Sequence, residues 1–207
     1  MRRLRSCNPV LLIVPLFVII TLILMLVDTR KDVDAIKVFD ADVKLLRLNT
    51  EIHVSDEETG EEMYIIKGNI LRILTDPLTL YDTNGKEIAF GDDAYHIIAQ
   101  DTHVITSIYG EEVKMVGNFS IWGDNYDIYV NDQKVAHASF NAFNTHGELR
   151  DTNNNLMADY SSRYVFMDYV VQVTEYNIFS DEVLNMIFAS YYSDQAADSN
   201  NNKSSSN

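Results

Sequence analysis

Five histidines, His53, His96, His103, His137 and His146, are the side chains best suited to proton transfer or metal binding. None belongs to an HExxH motif or to a helical i, i+4 pair beside a carboxylate, so the spacing that sets two imidazoles on one zinc ion is missing. His137 and His146 could meet across a hairpin, but no third ligand accompanies them, and they read as paired surface imidazoles. Asp151, Asn153, Asn155 and Asp159 alternate like the oxygen ligands of a calcium loop. The sixth position of that loop is Leu156, where the turn requires glycine. The twelfth is Ser162, where a bidentate glutamate would close the shell. The segment therefore reads as a hairpin turn, and no metal is expected. Trp122, Tyr126 and Tyr129 form a candidate binding surface, although aromatic residues in a β-rich chain also serve as core or cross-strand packing. There is no GxSxG, Walker loop or GxGxxG to build a nucleophile elbow or a phosphate cradle. Carboxylates are abundant, but acid and base work needs a pocket and a perturbed pair. The reading is a non-catalytic chain with no cofactor.

Whatever chemistry exists must be carried by the region that follows an apolar run. Residues 9–27 (PVLLIVPLFVIITLILMLV) contain no charge, and a helix of that length, at ~1.5 Å per residue, about spans the hydrocarbon of a bilayer. Arg2, Arg3 and Arg5 in the basic tail, residues 1–8, would also suit a cleaved signal, but LILMLVDTR lacks a small-x-small cleavage site, so a single transmembrane helix is expected. Pro15 is tolerable there. Arg30, Lys31 and Lys37 balance the three leading arginines in number. The arginines have no acidic neighbours, which favours a cytoplasmic N-terminus and a C-terminal domain outside the cytoplasm.

All 31 acidic residues follow the run, against 13 of the 16 Lys and Arg, so residues 28–207 carry a formal charge of −18. Nucleic acid is excluded as a partner by repulsion from its phosphates. The one cysteine, Cys7, precedes the run, so the rest of the chain has neither thiol chemistry nor a disulfide.

Residues 28–44 are charged and read as a stalk. From 45 to 176, short stretches rich in Ile, Val, Tyr and Phe alternate with Asp, Asn and Gly, which predicts many antiparallel strands joined by hairpins. LYDTNGKEIAF (80–90), YVNDQKVAHASF (129–140) and LRDTNNNLMADY (149–160) share a strand, polar turn, strand pattern. EEMYIIKGNI (61–70) echoes EEVKMVGNFS (111–120), which predicts two related halves. The last element is a helix over 181–193, with Ser180 as N-cap and Asp181 and Glu182 in its first turn. Its apolar residues point in nearly every direction, so it must be buried. A long run of antiparallel strands can surround one buried helix by closing into a barrel, so the expected fold is mainly β: a closed antiparallel barrel, residues 45–193, around a hydrophobic C-terminal helix. Residues 194–207 read as a disordered polar tail.

These hairpins, the stretch WGDNYDIYVNDQKVAHASF (122–140) and the hydrophobic final helix resemble the tubby C-terminal-like superfamily, above all its LURP-one-related branch. The resemblance covers about residues 45–193 and implies the same closed barrel. The superfamily includes the phosphoinositide-binding tubby proteins and the phospholipid scramblases, so lipid binding or handling at the membrane surface is the alternative function it implies. The tubby lipid site depends on basic residues that this acidic region does not match, and scramblase-like proteins carry their membrane helix after the barrel. The expected function is a membrane-anchored, non-catalytic binding or structural module. It would hold the lipid bilayer through residues 9–27 and turn an acidic face to a protein or envelope partner.

Overall fold

Alternating inward and outward side chains fold the chain after residue 36 into twelve strands: β1 (Lys37–Leu46), β2 (Asn49–Asp56), β3 (Glu62–Gly68), β4 (Leu78–Asp82), β5 (Glu87–Ala94), β6 (Thr102–Ser107), β7 (Glu112–Asn118), β8 (Asn125–Val130), β9 (Gln133–Phe140), β10 (His146–Asp151), β11 (Leu156–Tyr164) and β12 (Asp168–Val173). One helix follows, α1 (Asp181–Ser204). The structure, a computed structural model, describes residues 31–46, 49–68, 77–94, 102–118, 123–141, 145–164, 168–175 and 178–204. The expected membrane span lies outside these residues, and among them no helix is long and apolar enough to cross a membrane.

Each strand pairs antiparallel with its successor, and β1 closes the ring against β12, from Lys37 opposite Val173 to Asp42 opposite Asp168. A closed ring leaves no unpaired edge. In such a meander the turns after even-numbered strands gather at one rim, together with the start of β1 and the entry of α1. Short-range hydrogen bonds fix the turns of that rim. The Asp82 carboxylate accepts the amides of Asn84 and Lys86 at 2.9 and 2.8 Å, and Asp151 does the same for Asn153 and Asn155, both at 2.8 Å. Asn131 and Asp132 take positive φ values, 51° and 61°, as a two-residue hairpin with right-handed strand twist requires.

The helix fills the lumen. Its residues Val183 to Tyr192 are all buried, and they meet strands around the ring. Lys37 of β1 donates to Asp181 at 2.6 Å, and Tyr126 of β8 and Phe140 of β9 pack on Tyr191. Tyr160 of β11 stacks on Phe188 at 5.6 Å, and Tyr169 of β12 meets Tyr192. Gly91 of β5 lets the helix approach, since a Cβ there would lie 2.9 Å from Met186 Cε. Gly147 does so for the aromatic layer, because a Cβ would sit 2.2 Å from the Phe140 ring, which stacks on Tyr191 at 3.3 Å. Burying these rings supplies much of the core's stabilisation.

Four details differ from the sequence reading. The barrel begins at Lys37, inside the expected stalk, because KVFDADVKLL turns Phe39, Ala41 and Val43 inward between its charges. Ser180 starts the helix through its carbonyl, which accepts the Leu184 amide, while its buried hydroxyl has no hydrogen-bond partner. The helix runs to Ser204, past the expected end at 193, since no proline or glycine interrupts residues 194–204. The echoing segments form β3 and β7, four strands apart in a ring of twelve, so the repeat does not divide the barrel into halves.

Candidate functional site

The outer wall of β10, β11 and β12 holds a cluster of charged side chains, among them the His146, Glu148 and Asp159 group. Along β10, Gly147, Leu149 and Asp151 are the buried alternates, which turns His146, Glu148 and Arg150 to the other face. Register then brings neighbours of the same face beside them: Ser161 opposite His146, Asp159 opposite Glu148, and Gln172 of β12 opposite Asp159. Lys31, ahead of β1, reaches across and donates to Glu148 Oε1 at 2.6 Å. Arg150 holds the other carboxylate oxygen through Nε and Nη2, both at 2.8 Å.

His146 Nε2 lies 3.6 Å from Glu148 Oε1 and 3.5 Å from Asp159 Oδ2. One ligand atom from each of the three residues lies within 4.8 Å of the others. Asp159 is 0% exposed, and neither of its oxygens has a hydrogen-bond partner. The buried Ser161 Oγ and Gln172 Oε1 beside it are likewise unpartnered. Buried polar atoms nearly always find a partner, so a group of this kind marks a place where something else can bind.

The two carboxyls of the cluster are driven in opposite directions. Burial, with the Glu148 charge adding to it, pushes Asp159 up to about 6 against the pull of His146, Lys31 and Arg150. At Glu148 burial also works upward, but hydrogen bonds and charge from Lys31 and Arg150 outweigh it and hold the group at about 2. The arrangement offers one imidazole and two carboxylates of unequal basicity, the donor set of a borderline divalent cation.

The quartet with calcium-loop spacing is split by the fold. Asp151, Asn153 and Asn155 sit at the β10–β11 turn, where the Asp151 carboxylate takes the backbone amides noted above and Asn155 Nδ2 at 2.9 Å. Asp159 is carried down β11 into the wall cluster. His137 faces Arg150 across the β9–β10 pair and does not meet His146. Tyr126 turns into the barrel, where its hydroxyl donates to Asp194 of the helix at 3.1 Å. Tyr129 is half-buried on β8, and Trp122 lies outside the described residues. His103 approaches the same Asp194 carboxylate, Nε2 to Oδ2 2.8 Å, which ties the helix to β6. Sequence reasoning missed the pairing of His146 and Glu148 with Asp159. Its one available signal was an HxE alternation on a strand whose hairpin partner returns a carboxylate.

No family model, no curated protein and no solved structure matches the chain.

Proposed function

We propose that this protein is a membrane-tethered, non-catalytic binding or structural module of the tubby-like kind, anchored by residues 9–27 and working through the outside of its barrel. The supporting observation is the plugged lumen: the helix and the inward rings occupy the interior, so recognition falls to the outer wall and rims. Those surfaces carry most of the −18 charge of residues 28–207, which suits a basic protein or envelope partner and opposes nucleic acid. Protease treatment of intact cells carrying a C-terminal tag tests the tethered arrangement. Loss of the tag from outside, with the N-terminus protected, is the expected result. Protection of the tag until lysis would place the barrel in the cytoplasm and overturn the orientation.

A second reading, lipid contact, is favoured by the apolar tip of the β6–β7 turn. Ile108 and Tyr109 are 46% and 73% exposed there, and Ile36, 60% exposed, lies at the same rim. The test is an environment-sensitive dye at Tyr109→Cys, in the full chain with Cys7→Ser, reconstituted in phosphatidylcholine vesicles. Blue-shifted emission relative to a dye at Lys44→Cys, exposed near the opposite end of β1, supports contact with lipid, and matching spectra overturn it.

A further inference from the structure

We infer that His146, Glu148 and Asp159 form a binding site for one divalent cation of the zinc class, for which Lys31 is the internal competitor. Three observations converge on this. The first is spacing. Nitrogen and oxygen ligands about 2.1 Å from a tetrahedral zinc ion stand roughly 3.4 Å apart, and the His146 nitrogen stands 3.5 and 3.6 Å from its two carboxylate oxygens. These distances are longer than a good hydrogen bond and right for ligands sharing an ion.

The second is hydrogen-bond accounting. Both Asp159 oxygens, both His146 ring nitrogens, Ser161 Oγ and Gln172 Oε1 are buried without a hydrogen-bond partner. Asp159, Ser161 and Gln172 are 0%, 1% and 4% exposed. Carboxylate and amide oxygens are acceptors only, so the group holds more acceptors than donors, and a cation meets that excess directly.

The third is the state of Glu148. Its Oε1 atom is the one that faces His146, and it is also the one that Lys31 holds at 2.6 Å. The Lys31 side chain is 49% exposed, and an ion pair so open to water is weak. Its ammonium can swing into solvent and yield the oxygen to a metal, while Arg150 keeps the second oxygen oriented. Three protein ligands leave a fourth position for water or for a donor atom of a partner.

The ion also has a consequence for the chain that precedes the barrel. Lys31 stands at the start of the described chain ahead of β1, and its bond to Glu148 pins that residue to the outer wall. Metal binding displaces the pin.

The test uses the full chain in detergent, free of tag histidines and stripped with chelator, titrated calorimetrically with Zn²⁺ alone and followed in parallel by Co²⁺ absorption. One Zn²⁺ per chain and a visible tetrahedral Co²⁺ band are expected. His146→Gln and Asp159→Asn each weaken affinity by about tenfold or more and abolish the band, since loss of a direct ligand costs at least what an outer-shell change does. Lys31→Ala tightens binding severalfold. Both ligand variants remove or neutralise a buried, unpartnered group and keep its approximate size, and their melting curves verify folding. Absence of Zn²⁺ binding in the wild type, or equal binding in both ligand variants, overturns the site. Unchanged or weaker binding by Lys31→Ala overturns the competition.

Discussion

Asp151 and Asp159 lie on one hairpin, eight positions apart, and the fold treats them in opposite ways. Asp151 sits at the turn, where partial desolvation is outweighed by hydrogen bonds from Asn155 and Asn153, and its pKa falls below the usual aspartate value. Asp159 sits in the wall, buried without a hydrogen bond, and its pKa rises. In sequence the two looked like members of one oxygen cluster. A carboxylate's role on this hairpin is set by how far along the strand it lies from the turn. At the turn the backbone supplies amide donors. Three residues into the strand those amides belong to the ladder, and a side chain must find its partners across strands.

Both aspartates depend on the barrel staying closed around its helix. Phe188→Asp places an unpaired charge in the aromatic layer and is expected to cost more than about 4 kcal/mol and to unfold the domain. An unchanged thermal melt by circular dichroism would show that the helix is not the plug. Next, Asp151→Ala strips the turn of its three side-chain hydrogen bonds and should lower the melting temperature by several degrees. Asp151→Asn, which keeps one acceptor oxygen, should lose less. If Asp151→Asn falls as far as Asp151→Ala, charge and not hydrogen bonding fixes the turn.

A pH series on metal-free protein sharpens the contrast. Asp159 has a folded pKa of about 6 against an ordinary 3.8, so its neutral form is favoured by folding. Its contribution is fully present below 3.8 and is lost as pH rises through about 6. Glu148 is depressed to about 2 from 4.5, so its contribution is present above 4.5 and is lost as pH falls toward 2. Stability should therefore rise as pH drops from 7 to about 4.5 and decline in stronger acid. Asp159→Asn should remove the rise and keep the decline. A wild-type curve that falls steadily from pH 7 would contradict the buried state of Asp159. The smallest effect belongs to the pin. Lys31→Ala should change stability by no more than about 1 kcal/mol, as expected for an exposed pair, and a larger loss by denaturant titration would mean that the segment ahead of β1 is integral to the wall.

The barrel and its helix were legible because both rest on local signals. Turn residues such as Asp82, Asn84 and Gly85 punctuate the strands, and the apolar residues of SDEVLNMIFASYY point in nearly every direction, which leaves a closed ring as the economical place to bury it. The first strand was hidden because the charges of KVFDADVKLL mask its alternation. The wall cluster was illegible for a different reason. His146, Glu148 and Asp159 come together only through the β10–β11 register, which a bulge shifts between Leu149 and Arg150, and Lys31 arrives from 117 residues away. Such register follows from turn geometry and the whole ring, not from spacing in the chain.

A permanently packed interior is what would leave binding to the outside of the barrel. Amide hydrogen exchange on the full chain tests this directly. Residues 183–192 are expected to exchange as slowly as the strands around them, at the limit set by global unfolding. Exchange of those amides as fast as the turn residues at 83–86 would show that the helix leaves the lumen in the native state and opens the interior to a ligand.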